Sequence, residues 1–256
     1  MKNLITVYKP VGMTPLEAIK NLRLLNPELT NEKITYAGRL DPLARGLLLL
    51  LIGEEAKLRS TYLSLPKIYE FEMVFGLQTD TSDMLGYLKE IRTKSAPKNL
   101  KLFVNTFVNN FHGIQTQFYP SYSSKTVNGK PLFWWARNDK LSQISLPKHT
   151  IEIFAFKTLS FGKISILKLE QKVKTAVKLV NGDFRQEEIL RRWNEFFAQT
   201  KEIELETAKF SIHCSSGTYV REIVRQIGEE IGSGALTIDI LRTKIGKYSL
   251  DDAINL

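Results

Sequence analysis

Hydrophobic and polar positions change period several times along this chain. Residues 1–10 (MKNLITVYKP) read as a strand running into a Lys9-Pro10 turn, because Pro10 has no amide hydrogen to continue a ladder. Thr14 then precedes an amphipathic stretch, Pro15 to Leu25, which predicts a capped helix with proline in its first turn. Residues 34–46, with Gly38, Pro42 and Gly46, read as a loop, and the run LLLLLI after them as a buried strand ending at Gly53. Glu54 to Ser64 is predicted helical, and Lys67 to Phe75 alternates as a strand does.

Beyond residue 87 the chain turns polar, with a helix expected over Pro97 to Phe111. Residues 112–150 are rich in aromatic, Ser, Lys and Pro residues and show no clear period. Three strands are expected within 150–180. Glu187 to Thr200 places Ile189, Leu190, Trp193, Phe196 and Phe197 at helical spacing. Glu202 to His213 alternates, and Gly217 opens a second helix, Thr218 to Ile231. Strands and helices mingle without a strict βαβ rhythm, which predicts an α+β fold rather than a doubly wound one.

At 256 residues the chain can bury one substantial core, or one core with an inserted lobe. No apolar run approaches the roughly 18 residues that span a bilayer, and no secretory signal is expected, so the cytoplasm is the predicted location. The single cysteine, Cys214, excludes an internal disulfide and a cysteine-rich zinc site, and three histidines (His112, His149, His213) argue against metal chemistry. Lys plus Arg number 36 against 27 Asp plus Glu, a net charge of +9. That surplus favours polyanions, through release of counterions from phosphates, and equally suits a solvated basic surface.

Three constellations carry candidate chemistry. Tyr36-Ala37-Gly38-Arg39-Leu40-Asp41-Pro42 sets an aspartate in a constrained loop beside apolar sequence. Such a carboxylate serves as a covalent nucleophile when kept ionised and aimed, but Asp-Pro is also a common turn, the more economical reading of this loop alone. Gly76 to Gly86 (GLQTDTSDMLG) is an acidic loop after a strand; it lacks the twelve-position calcium pattern. In Cys214-Ser215-Ser216-Gly217-Thr218-Tyr219-Val220-Arg221 a glycine and a threonine at a strand-to-helix junction form a ready cap and anion corner, and Arg221 is placed to reach a carboxylate. Cys214 reads as a buried strand residue rather than a nucleophile.

Together these segments resemble the signature motifs of the bacterial tRNA pseudouridine-55 synthase (TruB) family. The resemblance runs through KPVGMT (9–14), YAGRLDPLARG (36–46), FGLQTDTSDMLG (75–86), YSSKTVNG (122–129), CSSGTYVR (214–221) and GALTIDILRT (234–243), nearly the whole chain in order. It implies the pseudouridine synthase fold, a central mixed or antiparallel sheet flanked by helices and loops around an active-site cleft. It also implies conversion of a flipped-out uridine in the T-arm of tRNA, with no cofactor, because the reaction is an isomerisation. Asp41 falls at the family's essential aspartate, which attacks C1′ of the target ribose or assists a glycal pathway. Arg221 falls at the arginine paired with it; an adjacent guanidinium favours the charged form of a carboxylate. Tyr69 matches the tyrosine that stacks on the base, Tyr219 and Ile240 fall at positions that line the uracil pocket in the family, and Lys9, Pro10 and Asp83 match positions that brace its active-site loops. A flipped base needs such stacking and edge recognition.

The chain departs from the family pattern at Tyr36, where histidine is usual and where slower or altered capture of the nucleotide is expected, and at Thr126 and Leu241. Residues 172–205 look like an insertion in a single catalytic domain spanning 1–256; its lysines 172, 174 and 178 read as a solvated face. A C-terminal RNA-binding (PUA) domain is not expected, which assigns RNA grip to the catalytic domain and the aromatic-basic stretch 122–140, although Trp134 and Trp135 read as core. A monomer without an obligatory protein partner is expected. Two rival readings stand beside the T-arm reading: a synthase acting on rRNA or another tRNA position, since the string GRLD resembles rRNA synthases of the same fold, and an RNA chaperone that folds tRNA without turnover, which the departures admit.

Overall fold

A computed structural model describes residues 3–89, 99–200 and 203–256. The first strand, β1 (Leu4–Lys9), ends at Pro10 as expected. Helix α1 (Pro15–Leu25) begins with a reciprocal capping box, in which Thr14 accepts from the Glu17 amide and the Glu17 side chain accepts from the Thr14 amide. The loop expected over 34–46 is a strand at each end: β2 (Ile34–Ala37) and the start of β3 (Arg45–Ile52). Glycine and proline in the connection masked the short edge strand. Leu48, Leu50 and Ile52 of β3 pack under α1, while Leu47, Leu49 and Leu51 join Ala37 and Ile245 on the other face. Burial of both faces is why the run shows no alternation.

A 3-10 turn over Gly53–Leu58 precedes the short α2 (Arg59–Ser64), so the helix expected from Glu54 is two pieces. β4 (Lys67–Phe75) matches its prediction. Then come α3 (Leu100–Asn110), β5 (Gly113–Phe118), a small hairpin of β6 (Thr126–Val127) and β7 (Lys130–Pro131), and α4 (Leu132–Arg137). The Pro97 start expected for α3 lies outside the described residues.

The three strands expected within 150–180 are one long strand, β8 (Lys148–Ser165), followed by helix α5 (Ile166–Leu179). Buried Ile166, Leu169, Val173, Ala176 and Val177 of α5 do keep helical spacing; the β-branched Ile166, Val173 and Val177 among them favour a strand reading. Helix α6 (Gln186–Gln199) buries Ile189, Trp193, Phe196 and Phe197, the face foreseen from sequence. The chain then returns in β9 (Glu204–Cys214), whose Glu204 pairs with Ser165, so α5 and α6 form a hairpin that leaves and re-enters the sheet at one point. Helix α7 (Val220–Ile231), β10 (Ala235–Ile245), β11 (Tyr248–Ser249) and β12 (Ile254–Asn255) complete the chain.

One ten-stranded mixed sheet results, in the order β12-β1-β3-β10-β4-β9-β8-β5, with β2 and β11 on side branches. The β12–β1 and β3–β10 pairings are parallel and the others antiparallel. Phe71, Phe210, Phe156, Ile212 and Ile240 bury one face beneath α3 and α7. On the other face Val74, Leu236 and Ile238 lie beneath α5 and α6. The parallel contact between Arg45–Gly46 and Leu241–Arg242 draws the 38–46 loop to the middle of the sheet, where the site forms.

Candidate active site

Asp41 and Arg221 lie 180 positions apart in the chain and meet in space: Arg221 Nε donates to Asp41 Oδ2 at 2.9 Å, and its NH2 lies 2.8 Å from the same oxygen. Among the described residues Asp41 Oδ1 has no hydrogen-bond partner. The Asp41 side chain is 32 % exposed, against 5 % for Arg221 and 5 % for Asp83. Arg221 therefore presents a partly open carboxylate from a dry base.

That base is built by the loop after β4. Arg221 NH1 donates to the Thr81 carbonyl at 2.9 Å, and Nε lies 3.4 Å from Asp83 Oδ2. Asp83 Oδ1 accepts from the Thr81 hydroxyl (2.7 Å) and the Leu85 amide (2.9 Å). Burial pushes the Asp83 carboxyl up, against the pull of Arg221 and these donors. Arg221 can occupy the first turn of α7 because Gln117, buried on β5, clamps the turn before it: its amide oxygen accepts from the Tyr219 amide (2.8 Å) and its amide nitrogen donates to the Tyr219 carbonyl (3.1 Å). Thr218, expected to cap this helix, instead donates to the Ser215 carbonyl; Tyr219 is the capping residue and supplies no side-chain bond.

The Asp41 loop is fixed from three sides. Gly12 of the Lys9-Pro10 turn donates to the Pro42 carbonyl at 2.8 Å. Leu40 and Ala44 pack with Tyr69 and Ile240 in the core beneath α7. Arg242, fully buried, donates to the carbonyls of Leu47 (2.8 Å) and Gly38 (3.0 Å), so the loop's two ends hang on one guanidinium. Lys9 is buried with its ammonium on the Pro10 and Met13 carbonyls (2.9 and 2.8 Å). Burial lowers its pKa to about 7, with Arg242 acting in the same sense and Asp41 opposing. Lys67 likewise falls to about 8 through burial and the nearby Arg242, and its ammonium donates to Ser216 Oγ and the Leu63 and Leu65 carbonyls.

Tyr69 is buried on β4 opposite Arg242, and burial pushes its phenol up. Tyr219 is pushed up to about 12 by burial and the nearby Asp41 charge, and its ring meets Tyr119 and His149 edge-on at 5.8 and 6.0 Å. The structure thus gathers Asp41, Arg221, Asp83, Tyr69, Ile240, Tyr219, Lys9 and Pro10 around one loop. Tyr36 does not join the Tyr69 group; it packs with the cluster under α1, with Arg59 over its ring at 5.9 Å. A neighbouring concavity of about 350 Å³ is walled by Asp80, Thr81, Ser82, Phe118, Tyr119 and Glu222 rather than by Asp41 or Tyr69.

Four contributors escaped the sequence reading: Gln117, Lys67, His149 and Arg185. Only the IQTQF alternation hinted at an inward Gln117. Cys214 is fully buried, its thiol pushed up to about 11 by burial, which fits the strand reading. No group of three or more His, Cys, Asp or Glu placed to hold a metal occurs among the described residues. Lys172 pairs with Glu72 and Lys174 with Glu170. In the stretch 122–140, Trp134 is half-buried beneath Lys130 and Lys140, and Trp135 donates to the Val127 carbonyl. Thr126 is exposed in its hairpin.

Comparison with known proteins identifies the family and the fold. A family model described as TruB family pseudouridylate synthase (N terminal domain) matches residues 26–184. The protein named tRNA pseudouridine synthase B of Clostridium acetobutylicum is 26% identical over 256 residues, covering 100% of this chain and 71% of the relative. Its namesake in Bacillus subtilis is 28% identical over 257 residues, covering 98% of this chain and 68% of the relative. Among solved structures, one chain of a Cbf5-Nop10-Gar1 complex superposes with a TM-score of 0.59 at 18% identity, over 99% of this chain and 52% of that one. A chain of an H/ACA RNP bound to a substrate RNA containing 2'-deoxyuridine gives 0.56 at 17%, over 98% and 50%. The present chain spans about half the length of these solved chains, and at such identity the likeness speaks for the fold.

Proposed function

This chain belongs to the TruB family of pseudouridylate synthases, and from that premise we propose that it isomerises a uridine in the T-arm of tRNA to pseudouridine, with Asp41 acting on the ribose. The observation that carries the proposal is the Arg221–Asp41 pair, in which both guanidinium contacts fall on Oδ2 and Oδ1 is left for substrate. A binding protein has no use for a carboxylate held this way over a buried cation.

In this reading the flipped uridine enters beside Tyr69, whose ring stacks on the base, with Ile240 and Tyr219 shaping the pocket. Asp41 attacks C1′ as the N1–C1′ bond breaks, or on a glycal route takes the C2′ proton and later returns it; the freed uracil turns, C5 bonds to C1′ as Asp41 is released, the C5 proton leaves and N1 takes one up. Atoms balance without oxidant, reductant or cofactor. Tyr69 is a candidate to assist loss of the C5 proton. Arg221 aims Asp41 through its contacts on Oδ2; Lys9, Pro10 and Asp83 hold the loops. Tyr36, in place of the family's usual histidine, alters nucleotide capture rather than chemistry. The surplus of Lys and Arg draws the tRNA, and the stretch 122–140 adds stacking surface. We place the protein in the cytoplasm as a monomeric single domain that needs no protein partner; no helix among the described residues is long and apolar enough to cross a membrane.

Tritium release from uridine-labelled tRNA tests the assignment. Asp41→Asn is expected to stop release while binding tRNA about as tightly as the wild type; release at the wild-type rate by the variant overturns it.

A further inference from the structure

The α5–α6 hairpin touches three of the loops that hold the Asp41–Arg221 pair: the Asp41 loop, the loop after β4 and the Lys9-Pro10 turn. Its helices share a core with Leu43 of the Asp41 loop and with Leu77 and Met84 of the loop after β4. Val11 packs against the same cluster, and a β-carbon at Gly12 would meet the Leu179 carbonyl at 2.4 Å. Trp193, buried in α6, donates to the Gly86 carbonyl at 3.2 Å. Asn181 donates to Glu17 in the capping box of α1 at 2.9 Å.

The tightest link is Arg185, at the start of α6. Its NH1 donates to Asp80 Oδ2 and to the Tyr122 hydroxyl, both at 2.7 Å. Its guanidinium lies between the rings of Tyr87 (4.0 Å) and Tyr122 (4.2 Å). Asp80 Oδ1 accepts from the Tyr87 amide at 2.7 Å, which closes the loop on itself. Next to Asp80 stands Thr81, whose carbonyl holds Arg221. Arg185 also keeps a left-handed backbone, φ +65°, which is uncommon for a residue with a β-carbon. A solvated arginine would need neither that backbone nor two rings.

We propose that Arg185 is a positioning residue for the isomerisation: it fixes Asp80, hence Thr81 and Asp83, hence the direction in which Arg221 presents Asp41. The inference rests on the reading of Asp41 as the reacting carboxylate. It assigns the hairpin the work of a brace under the catalytic loops, and Arg185 the job of transmitting it. Lysine can meet Asp80 but cannot lie flat between two rings, so Arg185→Lys restores only part of the function.

The test is steady-state turnover on tRNA by the full chain, with folding checked by thermal denaturation and the Arg221 Nε–H followed by NMR in arginine-labelled protein. Arg185→Ala is expected to lower kcat about 10- to 100-fold with KM little changed, since misplacing a reacting group by about 1 Å costs on that order. It is also expected to shift the Arg221 Nε–H resonance. Arg185→Lys and Asp80→Asn fall between, and carry the test should the alanine variant fail to fold. Arg191→Ala, which removes an exposed ion pair with Glu188 and Glu195, is expected to match the wild type. A wild-type kcat in the folded Arg185 variants overturns the proposal, as does a rise in KM alone or an unmoved Arg221 resonance. Should the wild type itself prove inactive on tRNA, the functional reading fails, and the NMR shift still decides whether Arg185 sets Arg221.

Discussion

Removing the Arg221 guanidinium puts the buried charge arrangement to a quantitative test. Asp83 is 5 % exposed in the wild type, and in Arg221→Ala it keeps the Thr81 hydroxyl and Leu85 amide but loses its cation. Breaking a buried pair from one side costs about 3–5 kcal/mol, whereas the partly exposed Asp41 contact contributes at most about 1 kcal/mol, so Asp83 dominates the loss. The pH dependence follows from the same residue. Burial already holds the folded Asp83 pKa above its unfolded value, so this carboxyl favours the fold below its unfolded pKa, and that contribution is lost as pH rises through the folded one. Without Arg221 the opposing pull is gone and the folded pKa moves further up. The deficit of Arg221→Ala is therefore largest at neutral pH and shrinks at acidic pH, where Asp83 takes up a proton. Urea denaturation at the two pH values measures it, and Arg221→Ala with Asp83→Asn should recover most of the stability. A deficit below about 1 kcal/mol, one equal at both pH values, or a double variant no better than the single one refutes the reasoning.

Two further outcomes follow from the loops. Lys9, with its folded pKa lowered to about 7, binds fewer protons folded than unfolded between pH 7 and its ordinary value, so wild-type stability gains up to about 1.4 kcal/mol per pH unit over that range from this group. Lys9→Met should remove that slope in denaturation curves recorded on either side of pH 8. Gly12→Ala places a β-carbon 2.4 Å from the Leu179 carbonyl at φ +88°, and left-handed backbone plus overpacking together should cost about 2–4 kcal/mol by the same assay.

The sequence was legible where one physical cause governs one segment. Thr14, Pro15 and Glu17 specify the start of α1 by themselves, and the alternation of Lys67 to Phe75 needs only one buried face. The site was legible through its motifs, which named Asp41, Arg221 and Asp83 before their contacts were seen. What stayed hidden depends on partners distant in the chain. The edge strand Ile34–Ala37 exists because β3 offers it a free edge beyond the short parallel pairing with β10. Gln117 is a buried polar group whose worth lies in the amide and carbonyl it reaches, and no local pattern announces those. From sequence, residues 172–205 read as an insertion with its lysines as a solvated face, yet the α5–α6 hairpin starts at Ile166, and its functional weight lies in Arg185 and Trp193.

The central claim is that Asp41, held by Arg221, converts uridine to pseudouridine. Nucleoside mass spectrometry of an unmodified tRNA transcript, with each modified position mapped after incubation with the purified protein, tests it most directly. The account predicts a single new pseudouridine in the T-arm with the wild type and none with Asp41→Asn. Conversion that persists in the variant, or a wild-type protein that binds the transcript and leaves every uridine unchanged, contradicts it.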